Sequence, residues 1–354
     1  MAEECGHERI RIMSIQFNDG TEIGRGMPPY IIAEINSSHN GKIEIAKQMI
    51  DAAAECGCNC TKFQSWSTES LYSKTYYDQN PIAKRFVKKL SLSEDDLQEV
   101  IEHCRLKNIA FSSTPYSKAE VDYLAQVGVP FIKIASMELN NYDFIEYIAK
   151  KGIPIVLSTG MGDMEEVRKA VRVVEGTGNR NLCLLHCISI YPAKPETINL
   201  NNIVMLMDEF PEYPIGFSDH SIGTELASAA IALGACLIEK HLTLDKTRIG
   251  MDNQMATEPD EMKRLVESCH NVQKAMGSYD RVVSQEELNQ RTNMRRSLIY
   301  SRDMAAGEII GENDIDAKRP GTGIPPTEKE KVIGKVLATD VQGDTLIRES
   351  DFRA

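Results

Sequence analysis

No apolar run in the 354 residues approaches the length of a bilayer span. The stretch from Met1 to Arg11 is charged and has no apolar core of a secretory signal. A surplus of positive charge is missing as well. The formal net charge of −12 argues against nucleic acid as the main partner and against an anionic membrane surface. It leaves local basic residues free to bind a small anion. The nine cysteines lack the spacing of a structural zinc site: Cys56, Cys58 and Cys60 read Cys-x-Cys-x-Cys, without paired Cys-x-x-Cys. Cys56 closes a helix and the other two lead into a strand. Cys183, Cys187 and Cys236 lie in apolar runs as buried thiols. The odd count and the missing signal fit a reducing cytoplasm. No Gly-x-Gly-x-x-Gly follows the first apolar run, which weakens a dinucleotide-binding reading.

What is present is ordinary globular composition, 42% hydrophobic and 26% charged, in a chain long enough for one large barrel plus an appendage. A unit recurs along it. An amphipathic stretch ends in glycine, and a short apolar run follows. Examples are Gly57 before Cys60 to Gln64, Gly128 before Phe131 to Ser136, Gly152 before Pro154 to Thr159, and Gly234 before Cys236 to His241. Glycine suits the residue after a helix, and nearly continuous apolar runs suit parallel strands buried on both faces.

Eight strands are predicted, at 31–35, 60–64, 110–114, 131–136, 154–159, 182–187, 214–219 and 236–242. Helices fit between them. Ile45, Ala46, Met49, Ala53 and Cys56 form one stripe, and Val167, Ala170, Val171 and Val174 another. Ser93–Asp96, Ser117–Glu120 and Asp163–Glu166 have capping-box spacing. Eight alternating units favour a TIM (β/α)8 barrel over an open doubly wound sheet. The barrel is expected over 1–276, with 1–29 as an N-terminal cap in which Ile10 to Phe17 form a hairpin across the bottom. A linker helix is expected within 277–296. Residues 297–354 read as a small β-rich domain with strands near Ser297–Tyr300, Val332–Val336 and Asp344–Ile347.

In a TIM barrel the C-terminal strand ends face the active site. That rule collects Glu34; Lys62 and Gln64; Ser112 to Thr114; Lys133, Ser136 and Glu138; Ser158; Ser189 and Tyr191; and Ser218, Asp219, His220, Lys240 and His241. Lysines, hydroxyls and glycine-rich turns hold anions. His220 and His241, at neighbouring strand ends, could share a divalent metal that polarises a carbonyl. Glu34 and Glu138 are candidates for proton transfer or for positioning water. Taken singly, each residue has an alternative. A strand lysine can be an ion-pair partner, and Lys133 alone could form a Schiff base. A strand-end serine can cap the next helix, and His39 reads as a turn residue. The clustering of polar groups over all eight ends is what favours a site.

Ala33-Glu-Ile with His39-Asn-Gly41, Lys62-Phe-Gln64, Ser113-Thr-Pro115, Lys133-Ile-Ala-Ser136 and Leu157-Ser-Thr-Gly-Met161 resemble the sialic acid synthase family. So do Leu185-His-Cys187 with Tyr191-Pro192, Gly216-Phe-Ser-Asp-His220 and Glu239-Lys-His241. Lys318-Arg-Pro-Gly321 is similar to the signature of the antifreeze-like (SAF) domain of that family. The resemblance covers nearly the whole chain. It implies condensation of phosphoenolpyruvate with an N-acetylmannosamine-type sugar, or a 6-deoxy-2,4-diacetamido relative, to a nine-carbon 2-keto acid plus phosphate, by C–O cleavage. The synthase would be a domain-swapped homodimer. The resemblance also implies manganese, with magnesium or cobalt as alternatives, on His220 and His241. Phosphoenolpyruvate would sit on Lys62, Thr114, Lys133, Ser136, Ser158 and Ser218. Glu34, Gln64, Tyr191 and Asp252 would contact the sugar, and Glu138 the attacking water. Arg319 of a neighbouring subunit would reach the acyl end of the sugar. Two departures stand by the site: Asn36-Ser-Ser38 replaces the usual Gly-Ile/Val-Asn, and Ser189 replaces an asparagine. Both bear on which sugar is used, with Ser37, Ser38 and Ser189 as the positions in question. The Tyr- and Lys-rich segment 65–89 is a candidate substrate lid. A Schiff-base aldolase and an inactive sugar-binding barrel are the competing readings.

Overall fold

The computed structural model describes residues 13–248, 250 and 252–353. Two compact units divide between Gly277 and Ser278. The first opens with an antiparallel hairpin, β1 (Ser14–Gln16) and β2 (Glu22–Gly24). Eight parallel strands follow: β3 (Tyr30–Glu34), β4 (Cys60–Gln64), β5 (Ala110–Thr114), β6 (Ile132–Ile134), β7 (Ile155–Ser158), β8 (Leu182–Cys187), β9 (Ile215–Asp219) and β10 (Leu237–His241). Their order is β5-β4-β3-β10-β9-β8-β7-β6. First and last strands therefore pair in register, with His241 opposite Glu34. At the seam between β5 and β6 no ladder forms, and Ser112 Oγ donates to the Phe131 carbonyl at 2.8 Å. The fold is the expected TIM barrel, with the expected strands shortened by a residue or two at some ends.

Period-two alternation explains the two cores. Ile31, Ala33, Phe63, Ile132, Ile155, Leu184, Phe217 and Ile238 face outward and pack under the helices. Ile32, Cys60, Phe131, Val156, Cys183, Leu185 and Leu237 face inward and fill the lower barrel. The hairpin covers that lower end with Ile15, Phe17 and Ile23, the Phe17 ring lying 4.6 Å from that of Phe131. The floor is thus apolar, and every polar inward residue lies above it. Part of the expected hairpin, residues 10–12, lies outside the described residues.

The helices that bear on the site are α1 (Ile43–Glu55), α2 (Lys74–Gln79), α3 (Pro81–Leu90), α4 (Glu94–Leu106), α5 (Lys118–Val127), α6 (Tyr142–Ala149) and α7 (Met164–Gly176). Capping boxes at Ser93, Ser117 and Asp163 start α4, α5 and α7 where their spacing predicts. α2 and α3 belong to the extra segment after β4. Trp66, Tyr77, Val87 and Leu90 give it a small core of its own.

The second unit begins with a helix over Gln285–Met294. Strands β11 (Ser297–Tyr300) and β12 (Ile315–Lys318) pair antiparallel, and Leu298, Tyr300, Met304, Ile310, Val332, Leu337 and Ile347 form its core. Two expected strands are absent. Val332 ends a short helix and Gly334, at φ 82°, turns the chain there. Asp344–Ile347 contributes one isolated bridge, at Leu346. Among the described residues no helix is long and apolar enough to cross a membrane.

Candidate active site

A cavity of about 380 Å³ opens at the C-terminal ends of the barrel strands. Alternation aims β3, β4, β6, β9 and β10 into it through Glu34, Lys62, Gln64, Lys133, Ser218, Glu239 and His241. Thr114, Ser136, Ser158, Ser189, Tyr191, His220 and Asp252, all expected from the sequence, line it as well.

A buried charge lattice forms its base. Lys62 pairs with Glu34, stands 3.7 Å from Glu239 Oε2 and donates to Thr114 Oγ1 at 3.1 Å. Lys133 Nζ lies 3.4 Å from Glu239 Oε1, which also accepts from Ser218 Oγ at 2.9 Å. Burial opposes the charge on Lys62, yet Glu239 and Glu34 hold its pKa above the ordinary lysine value. Burial likewise works against an ionised Glu239, but Lys133 and Lys62 keep it well below the carboxylate range. For Lys133 burial prevails over Glu239 and moves the pKa down. One oxygen of Glu239 and the Ser158 hydroxyl have no hydrogen-bond partner, so the lattice has hydrogen-bonding capacity to spare. A β-carbon at Gly160 would collide with the Ser136 and Ser189 hydroxyls. Glycine there lets the backbone approach, and its N–H donates to Ser136 Oγ at 3.0 Å.

Around this base stand polar groups of another kind. Gln64 Oε1 accepts from Tyr116 at 2.9 Å and from the Trp66 indole at 3.0 Å. Asn36 donates to Asp252. The Tyr191 ring, half exposed, lies 4.2 Å from that of His220. His220 and His241 are 5.4 Å apart, centroid to centroid. His220 donates Nδ1–H to the Ile188 carbonyl at 2.8 Å, leaving Nε2 as the lone-pair nitrogen. His241 Nδ1 is buried without a hydrogen-bond partner, 3.8 Å from Asp252 Oδ2. Burial and the neighbouring His220 push the His241 pKa well down, so its ring is neutral at neutral pH. Two imidazole rings facing one cavity fit a divalent transition metal. Among the described residues no group of three or more His, Cys, Asp or Glu has metal-holding geometry. The protein would supply two ligands and leave the other positions open.

Several expected residues stand elsewhere. Glu138 does not line the cavity; it ends the turn after β6 and accepts from Asn141 Nδ2 at 2.7 Å. Lys240 and Asp219 point outward, as alternation requires, and form a buried pair at 2.8 Å. Ser37 and Ser38 are buried off the cavity, with Ser38 Oγ donating to Asn253 Oδ1 at 2.6 Å. Asn36 and Ser189 are therefore the departures that reach the cavity wall. Arg319 is exposed and belongs to the second unit. Glu239, Cys187, Tyr116 and Trp66 line the cavity without having been singled out as site residues. Glu239 lies two residues before His241 on one strand and so shares its face; that spacing is the signal for it. Burial would raise the pKa of the Cys187 thiol, but His220 brings it down to about 7.

Comparison with known proteins places the chain in a family. The chain is 37% identical to the N,N'-diacetyllegionaminic acid synthase of Legionella pneumophila, over 92% of this chain and 95% of that one. It is 33% identical to the human N-acetylneuraminate-9-phosphate synthase, over 95% and 96%. A crystal structure of the N-acetylneuraminic acid (sialic acid) synthetase from Leptospira borgpetersenii, in complex with citrate, superposes with a TM-score of 0.73 at 33% identity. It covers 79% of this chain and 96% of that one. The SAF domain model matches residues 295–353. The NeuB family model matches residues 49–281, and the chain belongs to that family of nonulosonic acid synthases.

Proposed function

We propose that the protein condenses phosphoenolpyruvate with the open-chain form of an N-acylated mannosamine-type sugar, giving a nine-carbon 2-keto acid and phosphate. One observation carries this reading. Two buried lysines, Lys62 and Lys133, share a cavity with two histidines whose rings are 5.4 Å apart. That supplies an anion site beside a carbonyl-polarising site. The names of the relatives support the product class and differ in the sugar.

In this reaction C3 of phosphoenolpyruvate bonds to the aldehyde carbon, whose oxygen takes a proton. Water bonds to C2 and loses a proton. The C2–O bond to phosphate then breaks, phosphate leaves with the electron pair and takes up the remaining proton of the added water, and C2 becomes the ketone. Lys62 and Lys133 would bind the phosphate and carboxylate, with Thr114, Ser136, Ser158 and Ser218 donating to their oxygens. Glu239, already shared by both lysines, would keep them protonated and apart. Glu34, Gln64, Tyr191, Ser189 and Asp252 would orient the sugar. Glu138 would have to exchange Asn141 for water before it could position one. Arg319 of a neighbouring subunit would meet the acyl group. When bound on His220 and His241, manganese (or magnesium or cobalt) would supply Lewis-acid polarisation of the aldehyde.

The deciding experiment measures phosphate release from phosphoenolpyruvate with N-acetylmannosamine, its 6-phosphate and 6-deoxy-2,4-diacetamido sugars. Release must depend on both substrates, and heavy oxygen placed in the bridging C–O–P position must appear in phosphate. Label retained in the keto acid would rule out C–O cleavage. His241→Ala should lose calorimetric binding of Mn²⁺ as well as turnover. The burial-lowered pKa of Lys133 favours a second reading, a Schiff-base aldolase. Borohydride with a keto acid would label Lys133 in that case and leaves it unlabelled in ours.

A further inference from the structure

Asn36 differs from the other residues of the rim. It follows β3 with φ at 44°, a left-handed backbone that asparagine tolerates better than most residues, though at a cost. The residue is 6% exposed and lines the cavity. Its Nδ2 donates to Asp252 Oδ2. A carboxylate only accepts, so this contact fixes which end of the amide faces it. The other end, Oδ1, is buried and has no partner. The loop is pinned on both sides. The Asn36 backbone N–H donates to Glu34 Oε1 at 2.8 Å, and Ser38 Oγ donates to Asn253 at 2.6 Å. A simple staple between loops explains the Nδ2 contact. It does not explain why strained backbone in the cavity wall holds an acceptor without a hydrogen-bond partner.

We propose that Asn36 is a specificity-determining residue of the sugar subsite, its Oδ1 accepting a hydrogen bond from a hydroxyl or acylamino N–H of the amino-sugar. The inference rests on the synthase reading above. The test compares the native protein with Asn36→Gly, because glycine takes this φ without strain and removes the side chain. Each is assayed with the best sugar of the panel, its monodeoxy analogues and its N-methylated acylamino analogue. For the parent sugar, Asn36→Gly should raise KM on the order of tenfold, the usual effect of one lost hydrogen bond, with KM for phosphoenolpyruvate unchanged. A single analogue, the one that lacks the donor, should react equally with both proteins. A deoxy analogue in that role identifies a hydroxyl, and the N-methyl analogue identifies the acylamino group. Additive losses for every analogue, or an equal rise in KM for phosphoenolpyruvate, would reduce Asn36 to a staple and overturn the assignment. Absence of phosphate release by the native protein with every sugar would overturn the synthase reading, and this assignment with it.

Discussion

His39 sits in the turn after β3, 3% exposed, with its ring 6.1 Å from that of Phe63. Its Nδ1 accepts the Gly41 N–H at 3.0 Å. A protonated ring would lose that acceptor and carry a charge into apolar surroundings, and burial lowers the pKa to about 4. The sign follows from linkage. Above about pH 6.5 the ring is neutral in both folded and unfolded chains, and its contribution to stability is complete. Between about 6.5 and 4 the unfolded chain takes up the proton first, so stability falls with pH; below 4 both states are protonated. The full span is about 3 kcal/mol. Urea unfolding from pH 7 to pH 4 should therefore show a steeper loss for the native protein than for His39→Gln. Equal slopes would mean that His39 titrates normally. The same residue-scale reasoning separates Lys240 from its neighbours. Glu239 and His241 face the cavity, while Lys240 faces the helices and needs Asp219 to be buried there at all.

At the scale of elements, the segment carrying α2 and α3 closely approaches the loop after β3 at Gly41. Gly41, at φ 68°, lies so near the Lys89 carbonyl that a β-carbon would overlap it. Gly41→Ala would add left-handed strain of about 1–3 kcal/mol and force α3 away from the loop after β3. Trp66, Leu71 and Tyr72 of that segment line the cavity. The variant should thus be cut faster by protease within 65–89 and show a higher KM for the sugar, with the barrel's own unfolding transition retained. Protection equal to the native protein would show that the contact is dispensable. The barrel strands were legible because burial on both faces leaves short runs such as Ile155–Ser158 with little choice but apolar residues. Reading only the strand ends misses Glu239, although the period of two places it on the face of His241. The core of the α2–α3 segment was not legible, since Trp66, Tyr77, Val87 and Leu90 follow no single period. In the second unit, Gly334 cuts an apolar run that otherwise reads as a strand, and short bridges replace ladders. Glu138 shows why a strand-end rule is weaker one turn beyond the strand: the turn after β6 gives its carboxylate a local partner in Asn141.

At the scale of the whole molecule, the chain joins a barrel that holds the cavity to a SAF unit that holds an exposed Arg319. The proposed domain-swapped homodimer makes each site a product of two chains: the barrel of one and Arg319 of the other. This has a numerical consequence. Arg319→Ala and His241→Ala chains should each be nearly inactive alone. Mixed in equal amounts and allowed to exchange, half of the dimers are heterodimers. In each heterodimer one site carries both lesions and the other carries neither, because the His241→Ala chain lends its intact Arg319 to the intact barrel of its partner. About a quarter of all sites are then whole, and phosphate release should recover to about a quarter of the native rate. If Arg319 served the barrel of its own chain, every site in the mixture would retain one lesion. Activity would then stay at the level of the separate variants however long the chains exchange.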